Sequence, residues 1–521
     1  MRAVAEDDQL LRTATHFRLT VSPRFSAILS FTGLATIPIP AFILLMSHIE
    51  ALVESVPQEL WDEIARDLEA EDIGALRLTC KSLQVKLWSL FLNLFKDRKV
   101  TLFSPDSLQR LVTIAEHELF GPRVKSVTIL AGFYDTAKAD GRLKSCKKRV
   151  TANNSIYSAE CTEEELEEAR VDSEFLHQSL ADQEHIRSED THRKLLTDAF
   201  QKLQALTALS FDLIVYNSMA NKAPDNTVEW ESRDKLSDFT LEALEVGLSA
   251  VVGNGVPIQT LSIFDEGCTG RGGLPPSNVQ QAIDRLRERH GDDLLPVLSQ
   301  VRSFKYSFAR KGGAFPPLDL LSLVRTQNLE DLGIAFVANE VYYHPLLDRL
   351  PSVEFGRLRT LTLDNATISE RPLLQFLRKN MTLESVKFLS VMLTGRWKSI
   401  LKYCCGAPVD DPKDEPHDDH RPNPEQFTTI PPSETLHHPT LRTVILEYIR
   451  ERPMGSNRHA DRVRFLDENF VSVEDFTSNL RLCGEEELRK GFQYTVYAGR
   501  TIASAAVVRD YFQRKAARRG G

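Results

Sequence analysis

A mixed α/β fold is predicted, with a short helical module followed by a long array of alternating strands and helices. Three observations carry it. The pattern apolar-x-x-apolar-x-apolar occurs eight times between Val124 and Leu446, each copy reading as a short strand with one buried face. Stretches of helical spacing lie between the copies, so strand and helix alternate in series. Upstream, Leu60, Ile64 and Leu68 recur every four residues as one helical stripe.

The composition sets the class. With 521 residues, 42% hydrophobic and 26% charged, the chain reads as globular, against wholesale disorder or a polytopic membrane protein. A net charge of −9 argues against a general nucleic-acid binder, which carries a basic face. That acidity is local: Glu160–Asp190 holds 12 acidic and 2 basic residues, and Asp410–Glu425 holds 7 and 2. Without these segments the chain is slightly basic. The seven cysteines, at 80, 146, 161, 268, 404, 405 and 483, are odd in number and scattered. That spacing suits a reducing compartment, the cytoplasm or the nucleus, better than a secreted disulfide scaffold.

Phe25–Ser47 contains no charged residue and approaches the ~20 apolar residues that span a bilayer. Pro38 and Pro40 interrupt it, and Glu6, Asp7 and Asp8 spoil the basic flank of a signal segment. A start at Met46, with residues 1–45 as appended upstream sequence, is the plainer expectation. The membrane-tethered or secreted alternative rests on this span and on the sequons at Asn153, Asn365 and Asn380.

In residues 56–88, Pro57 suits a first helical turn, and Asp72 is read as the N-cap of a helix carrying Ile73, Leu76 and Leu78. Leu83 and Leu87 extend the apolar set into a third segment. So short a unit cannot bury its apolar faces alone and needs a partner. The run Val56-Pro57, Glu59-Leu60, Ile64, Leu68, Asp72-Ile73, Leu76-Arg77-Leu78 and Cys80-Lys81 resembles the F-box, departing in Val56 where leucine is commoner. The resemblance implies docking to a Skp-type adaptor and, through it, a cullin-RING ubiquitin ligase. It places the contact on Val56, Pro57, Leu60, Ile64, Leu68, Asp72, Ile73, Leu76 and Leu83.

The eight hexamers start at Val124, Leu206, Ile258, Val301, Leu329, Leu358, Leu383 and Leu441. Helices are predicted over Thr191–Leu203, over Asn278–Arg289 with a Ser277/Gln280 capping box, and over Glu370–Lys379. Central spacings of 28, 29 and 25 residues between copies make this resemble an irregular leucine-rich-repeat solenoid with insertions, as in fungal F-box proteins. Ala366 stands where the family's ladder asparagine would be. An ordinary α/β domain is the other reading. The expected organisation is an extension over 1–47, an F-box over 48–100, and a repeat-like domain over 101–451. Insertions fall at about 135–190 and 406–435, and a C-terminal α/β segment covers 452–521, with a strand at Phe492–Tyr497 and a helix at Ser504–Arg514.

Other segments read as structural. The six basic residues of Lys138–Val150 lack interleaved aromatics and suggest a solvated loop, and the acidic run after them an exposed helix. Cys404-Cys405 with His417, His420, His437 and His438 is poorly arranged for one tetrahedral zinc. Gly267–Gly273 lacks the Lys-Ser/Thr ending of a phosphate loop, and Gly247-Leu248-Ser249 begins a nucleophile elbow that Val251 does not complete. No cofactor, metal or catalytic residue is expected. The resemblance implies a non-catalytic substrate adaptor whose repeats bind a target protein.

Overall fold

A computed structural model describes residues 55–66, 68, 70–79, 81–152, 155–219, 233–264, 276–308, 326–336, 350–353, 355–406, 428–430, 438, 440–452, 461–466, 479–484, 488–489 and 492–497. The chain divides into two compact units, Met1–Lys96 and Asp97–Gly521. The first is helical: α1 (Gln58–Arg66), α2 (Ala70–Arg77), α3 (Lys81–Lys86) and α4 (Trp88–Asn93).

The second unit is mixed α/β. Its strands are β1 (Asp97–Thr101), β2 (Ser126–Tyr134), β3 (Lys147–Ala152), β4 (Ser155–Glu160), β5 (Ala208–Tyr216), β6 (Thr260–Ile263), β7 (Ser303–Phe308), β8 (Asp331–Phe336) and β9 (Thr360–Asp364). Then follow β10 (Thr367–Ser369), β11 (Ser385–Leu389), β12 (Met392–Thr394), β13 (Thr428–Ile430), β14 (Thr443–Glu447), β15 (Arg450–Arg452), β16 (Asp461–Leu466), β17 (Asn479–Cys483) and β18 (Phe492–Tyr497). The helices are α5 (Pro105–Glu116), α6 (Ala137–Ser145), α7 (Glu163–Ser188), α8 (Thr191–Lys202), α9 (Arg233–Gly253), α10 (Pro276–His290), α11 (Leu294–Leu298), α12 (Glu370–Lys379) and α13 (Trp397–Cys404).

The main sheet runs β1-β2-β5-β6-β7-β8-β9-β11-β14-β17. All neighbours are parallel except the last pair, β14 and β17. The sheet is not curled, so a mixed α/β fold with a large parallel sheet is what stands of the expected repeat solenoid. Each of the eight hexamers supplies one strand, which starts at its third residue, and all three of its apolar positions are buried. In register they stack into continuous rows: Val127, Leu209, Leu261, Phe304, Leu332, Leu361, Val386 and Val444 form one. A one-residue slip would turn that row to the opposite face, so the hydrophobic pattern fixes the register.

Strand ends repeat a corner. Asn365, Ser390 and Tyr448 follow β9, β11 and β14 with φ of 50°, 53° and 52°. Their left-handed backbone turns the chain into β10, β12 and β15, which pair in parallel as part of a second sheet. The strain of a non-glycine residue there, ~1–2 kcal/mol, is offset by a ladder across the corners. Asn365 N–H donates to Leu389 O at 2.8 Å, and Ser390 N–H to Glu447 O at 2.7 Å.

Several expectations need correction. Helix α2 begins at Ala70, so Asp72 lies inside it and is not its N-cap, and Leu78 falls beyond its end. Helix α10 begins at Pro276, so Ser277 is internal, and the Gln280 amide donates to Asp284 instead of closing a capping box. The basic run forms α6 and β3 rather than a loop. The acidic run is one 26-residue helix with a Thr162/Glu165 capping box, and it buries Ala169, Asp172, Leu176, Gln183 and Ile186. The C-terminal strands are no separate piece: β16 and β18 pair within the second sheet and β17 edges the first. Phe25–Ser47, Gly267–Gly273, His417, His420, His437 and Ser504–Arg514 lie outside the described residues.

Candidate partner-docking surface

Among the described residues of unit one, three form a small buried cluster. Ile73, Leu83 and Leu87 are buried, with Trp61, Leu68, Leu76, Leu90, Phe91 and Leu94 packed against them. Gln58 and Lys86 join the start of α1 to the end of α3. The Gln58 amide donates to Lys86 O at 2.9 Å, and Lys86 Nζ donates to Val56 O at 2.5 Å. The Trp61 N–H reaches Pro57 O at 3.3 Å, so the proline residue caps α1 without an N–H of its own. The Arg77 guanidinium carbon stands 3.5 Å from the centroid of Phe91 and 4.8 Å from that of Trp88. Burial there lowers its pKa, and the cation–π contacts offset part of the desolvation.

The α1 stripe points away from this core. Leu60 is 49% exposed and Ile64 46%, one turn apart on one face, and Pro57 is exposed beside them. Leu78 and Val85 are the most exposed large apolar residues of the unit. The sequence-derived contact residues therefore separate into two sets. Pro57, Leu60 and Ile64 are exposed; Val56, Leu68, Asp72 and Leu76 are half-buried; Ile73 and Leu83 are core residues that hold the unit together. Sequence reasoning passed over Val85. Its isolation among polar neighbours in Lys81–Lys86 gives no periodic signal. Leu60 and Ile64 are each about half exposed, so covering one is worth roughly half of the ~1.5–3 kcal/mol for full burial.

The second unit presents a polar sheet face. Opposite the core, in-register positions carry Ser126, Ala208, Thr260, Ser303, Asp331, Thr360, Ser385 and Thr443 in one row. The next row includes Lys305, Gly333, Thr362 and Lys387. At β2 this face is covered by α7: the Gln183 amide donates to Gly132 O at 2.9 Å, and Phe175 meets Tyr134 edge-on. The opposite face of β2 and β5 carries α9, whose Gly247 sits against Ile129 and Phe211.

Helices α8, α9 and α10 are joined by ion pairs. Glu245, 7% exposed, is approached by Arg193 at 3.5 Å, Arg285 at 3.2 Å and Arg289 at 3.0 Å. One turn earlier, Glu242 meets Arg187 at 2.6 Å and His192 Nε2 at 3.3 Å. Burial raises the Glu242 pKa, but hydrogen bonds from His192 and Arg187 and their charge outweigh it and leave the pKa lowered. A carboxylate with a depressed folded pKa contributes its full stabilisation above the unfolded value of ~4.3. The contribution is lost as pH falls through the folded value. Glu242→Gln is expected to lower the neutral-pH unfolding midpoint and to flatten its decline on acidification; an unchanged slope would contradict this.

The side chains of the motifs weighed for catalysis or metal binding have the following surroundings. Ser249 Oγ lies 2.7 Å from His290 Nε2, yet Ser249 is inside α9, not on a strand-to-helix elbow. Backbone N–H groups within a helix are committed to helical bonds and leave no oxyanion hole. Cys404 and Cys405 are buried, and burial raises both thiols, Cys405 to about 12. His438 Nε2 is 2.9 Å from Asn380 O. Among the described residues no group of three or more His, Cys, Asp or Glu could hold a metal, and no helix is long and apolar enough to cross a membrane. Asn380 is 2% exposed and donates to Phe376 O at 2.8 Å, which makes that sequon inaccessible in the folded chain.

Comparison with protein-family models finds no match to the chain, and none of the curated proteins matches it.

Proposed function

We propose that the chain is a substrate-recognition adaptor of a Skp-cullin-F-box ubiquitin ligase, unit one being an F-box and unit two an irregular leucine-rich-repeat array. The observation that carries this reading is the outward Leu60/Ile64 stripe, exposed on a helical unit whose described core forms without it. Its residue order is that of the F-box. The one-after-another parallel strands suit a repeat array that displays one broad face to a target. Such a protein supplies no reacting side chain. The ligase raises the effective concentration of a charged ubiquitin carrier near a target lysine.

The test is co-purification of the full chain with a Skp-type adaptor. Leu60→Asp and Ile64→Asp are each expected to abolish recovery, because a charge would be buried in an apolar groove. Both side chains are exposed, so circular dichroism should show the helices retained. Recovery equal to the parent chain's would overturn the assignment.

A further inference from the structure

The β3–β4 hairpin projects from the second unit between α6 and α7. Lys147 pairs with Glu160, and the antiparallel register continues inward through Ala152 and Ser155. One step outward, the same register sets Cys146 directly opposite Cys161. The ladder extends to this pair, since Cys161 N–H donates to Cys146 O at 2.9 Å. Cys146 is left-handed rather than extended, so ideal strand spacing does not describe the pair. The hydrogen bond itself holds the two Cα atoms within roughly 6.8 Å by backbone bond lengths, inside the ~4.4–6.8 Å range in which a disulfide closes.

Both cysteines are free, Cys146 exposed and Cys161 partly so. Each is also a junction. Cys146 is the C-cap of α6, in the left-handed conformation at φ 54°, and Cys161 precedes Thr162, the N-cap of α7. Lys148, inside the loop they bracket, pairs with Glu165 in the first turn of α7. Farther along, the Ser173 hydroxyl donates to Asp140 of α6 at 2.7 Å, and His177 lies 3.2 Å from the same carboxylate. By contrast Cys404 and Cys405 are buried, with thiols that burial pushes up.

We propose that Cys146 and Cys161 form a peroxide-sensitive thiol pair that closes into a disulfide at the base of the hairpin. One thiol, as thiolate, attacks the peroxide oxygen, giving a sulfenic acid and releasing the alcohol or water. The second thiol displaces water from that sulfenic acid. In total two thiols lose two hydrogens and two electrons, one S–S bond forms, and the peroxide O–O bond is reduced. The bond ties the end of α6 to the start of α7, the helix that covers the β2 end of the open sheet face.

The experiment treats the folded full chain with hydrogen peroxide, blocks remaining thiols and maps peptides without reduction. The expected result is a dominant Cys146–Cys161 linked peptide, lighter by about 2 Da than the summed thiol peptides and reversed by dithiothreitol. Trypsin adds a second readout. Cleavage after Lys147, Lys148 or Arg149 should leave fragments joined in the peroxide-treated chain and separate in a Cys161→Ser variant. Oxidation in urea should scatter the pairing, which shows that the fold selects it. Recovery of Cys146 and Cys161 as separately alkylated thiols, or predominant pairing of either with another cysteine, would overturn the proposal.

Discussion

Trp397→Ala is expected to destabilise the second unit by ~3–5 kcal/mol, the range for deleting a large buried aromatic residue. Trp397 is fully buried at the start of α13, its ring against Phe388 of β11 with centroids 5.5 Å apart. Its Nε1–H donates to Arg450 O at 2.8 Å, at the corner where β14 passes into β15. The side chain therefore joins a helix, the main sheet and the second sheet. Truncation leaves a cavity and an unpaired carbonyl together, and the second term adds ~1–3 kcal/mol where that oxygen stays dry. Trp397→Phe separates the two: most packing is kept and only the donor is lost, so its effect should be the smaller. Denaturant midpoints of the full chain, with hydrogen exchange at β11 and β15, measure both. A midpoint within error of the parent's for Trp397→Ala would contradict the packing described.

Gly247→Val is expected to destabilise by at least ~1–3 kcal/mol, through overpacking. A Cβ at Gly247 would stand 2.5 Å from Phe211 Cε1 and 2.6 Å from Ile129 Cδ1. Both rings and branches are held in the stacked rows of β5 and β2, so α9 would have to lift from the sheet. The control is a glycine in another helix of the same unit: a Cβ at Gly141 of α6 meets nothing within 4 Å. Gly141→Ala should therefore follow helix propensity and stabilise by ~0.5–1 kcal/mol. Opposite signs for the two sites are the expected result. Stabilisation by Gly247→Ala as well would show that α9 does not approach the sheet this closely.

The strands were legible because their signal is local. Three apolar residues at fixed offsets specify which face of a short strand is buried, and β5 to β9 follow from that spacing. The short β10, β12 and β15 were not legible, since three residues carry too little alternation to stand out. Nor were their corners, where Asn365, Ser390 and Tyr448 take a conformation that residue type alone would give to glycine. Gly247-Leu248-Ser249 reads in the sequence as an incomplete elbow, and the fold gives it other partners. Its glycine answers to the sheet beneath α9, and its serine to His290 on the next helix.

The sequence by itself determined the eight hexamer strands, their buried positions and the apolar stripe of α1, because each follows from periodicity within a few residues. Only the tertiary structure decided which way that stripe faces, since Leu60, Ile64 and Leu68 read alike until Ile73, Leu83 and Leu87 form a core without the first two. It also decided the place of the acidic helix. Charge density foretold an exposed helix, but Gln183 is buried in it with its amide on the Gly132 carbonyl of β2, 51 residues away in the chain. Contacts of that range are set by packing, which no local pattern encodes.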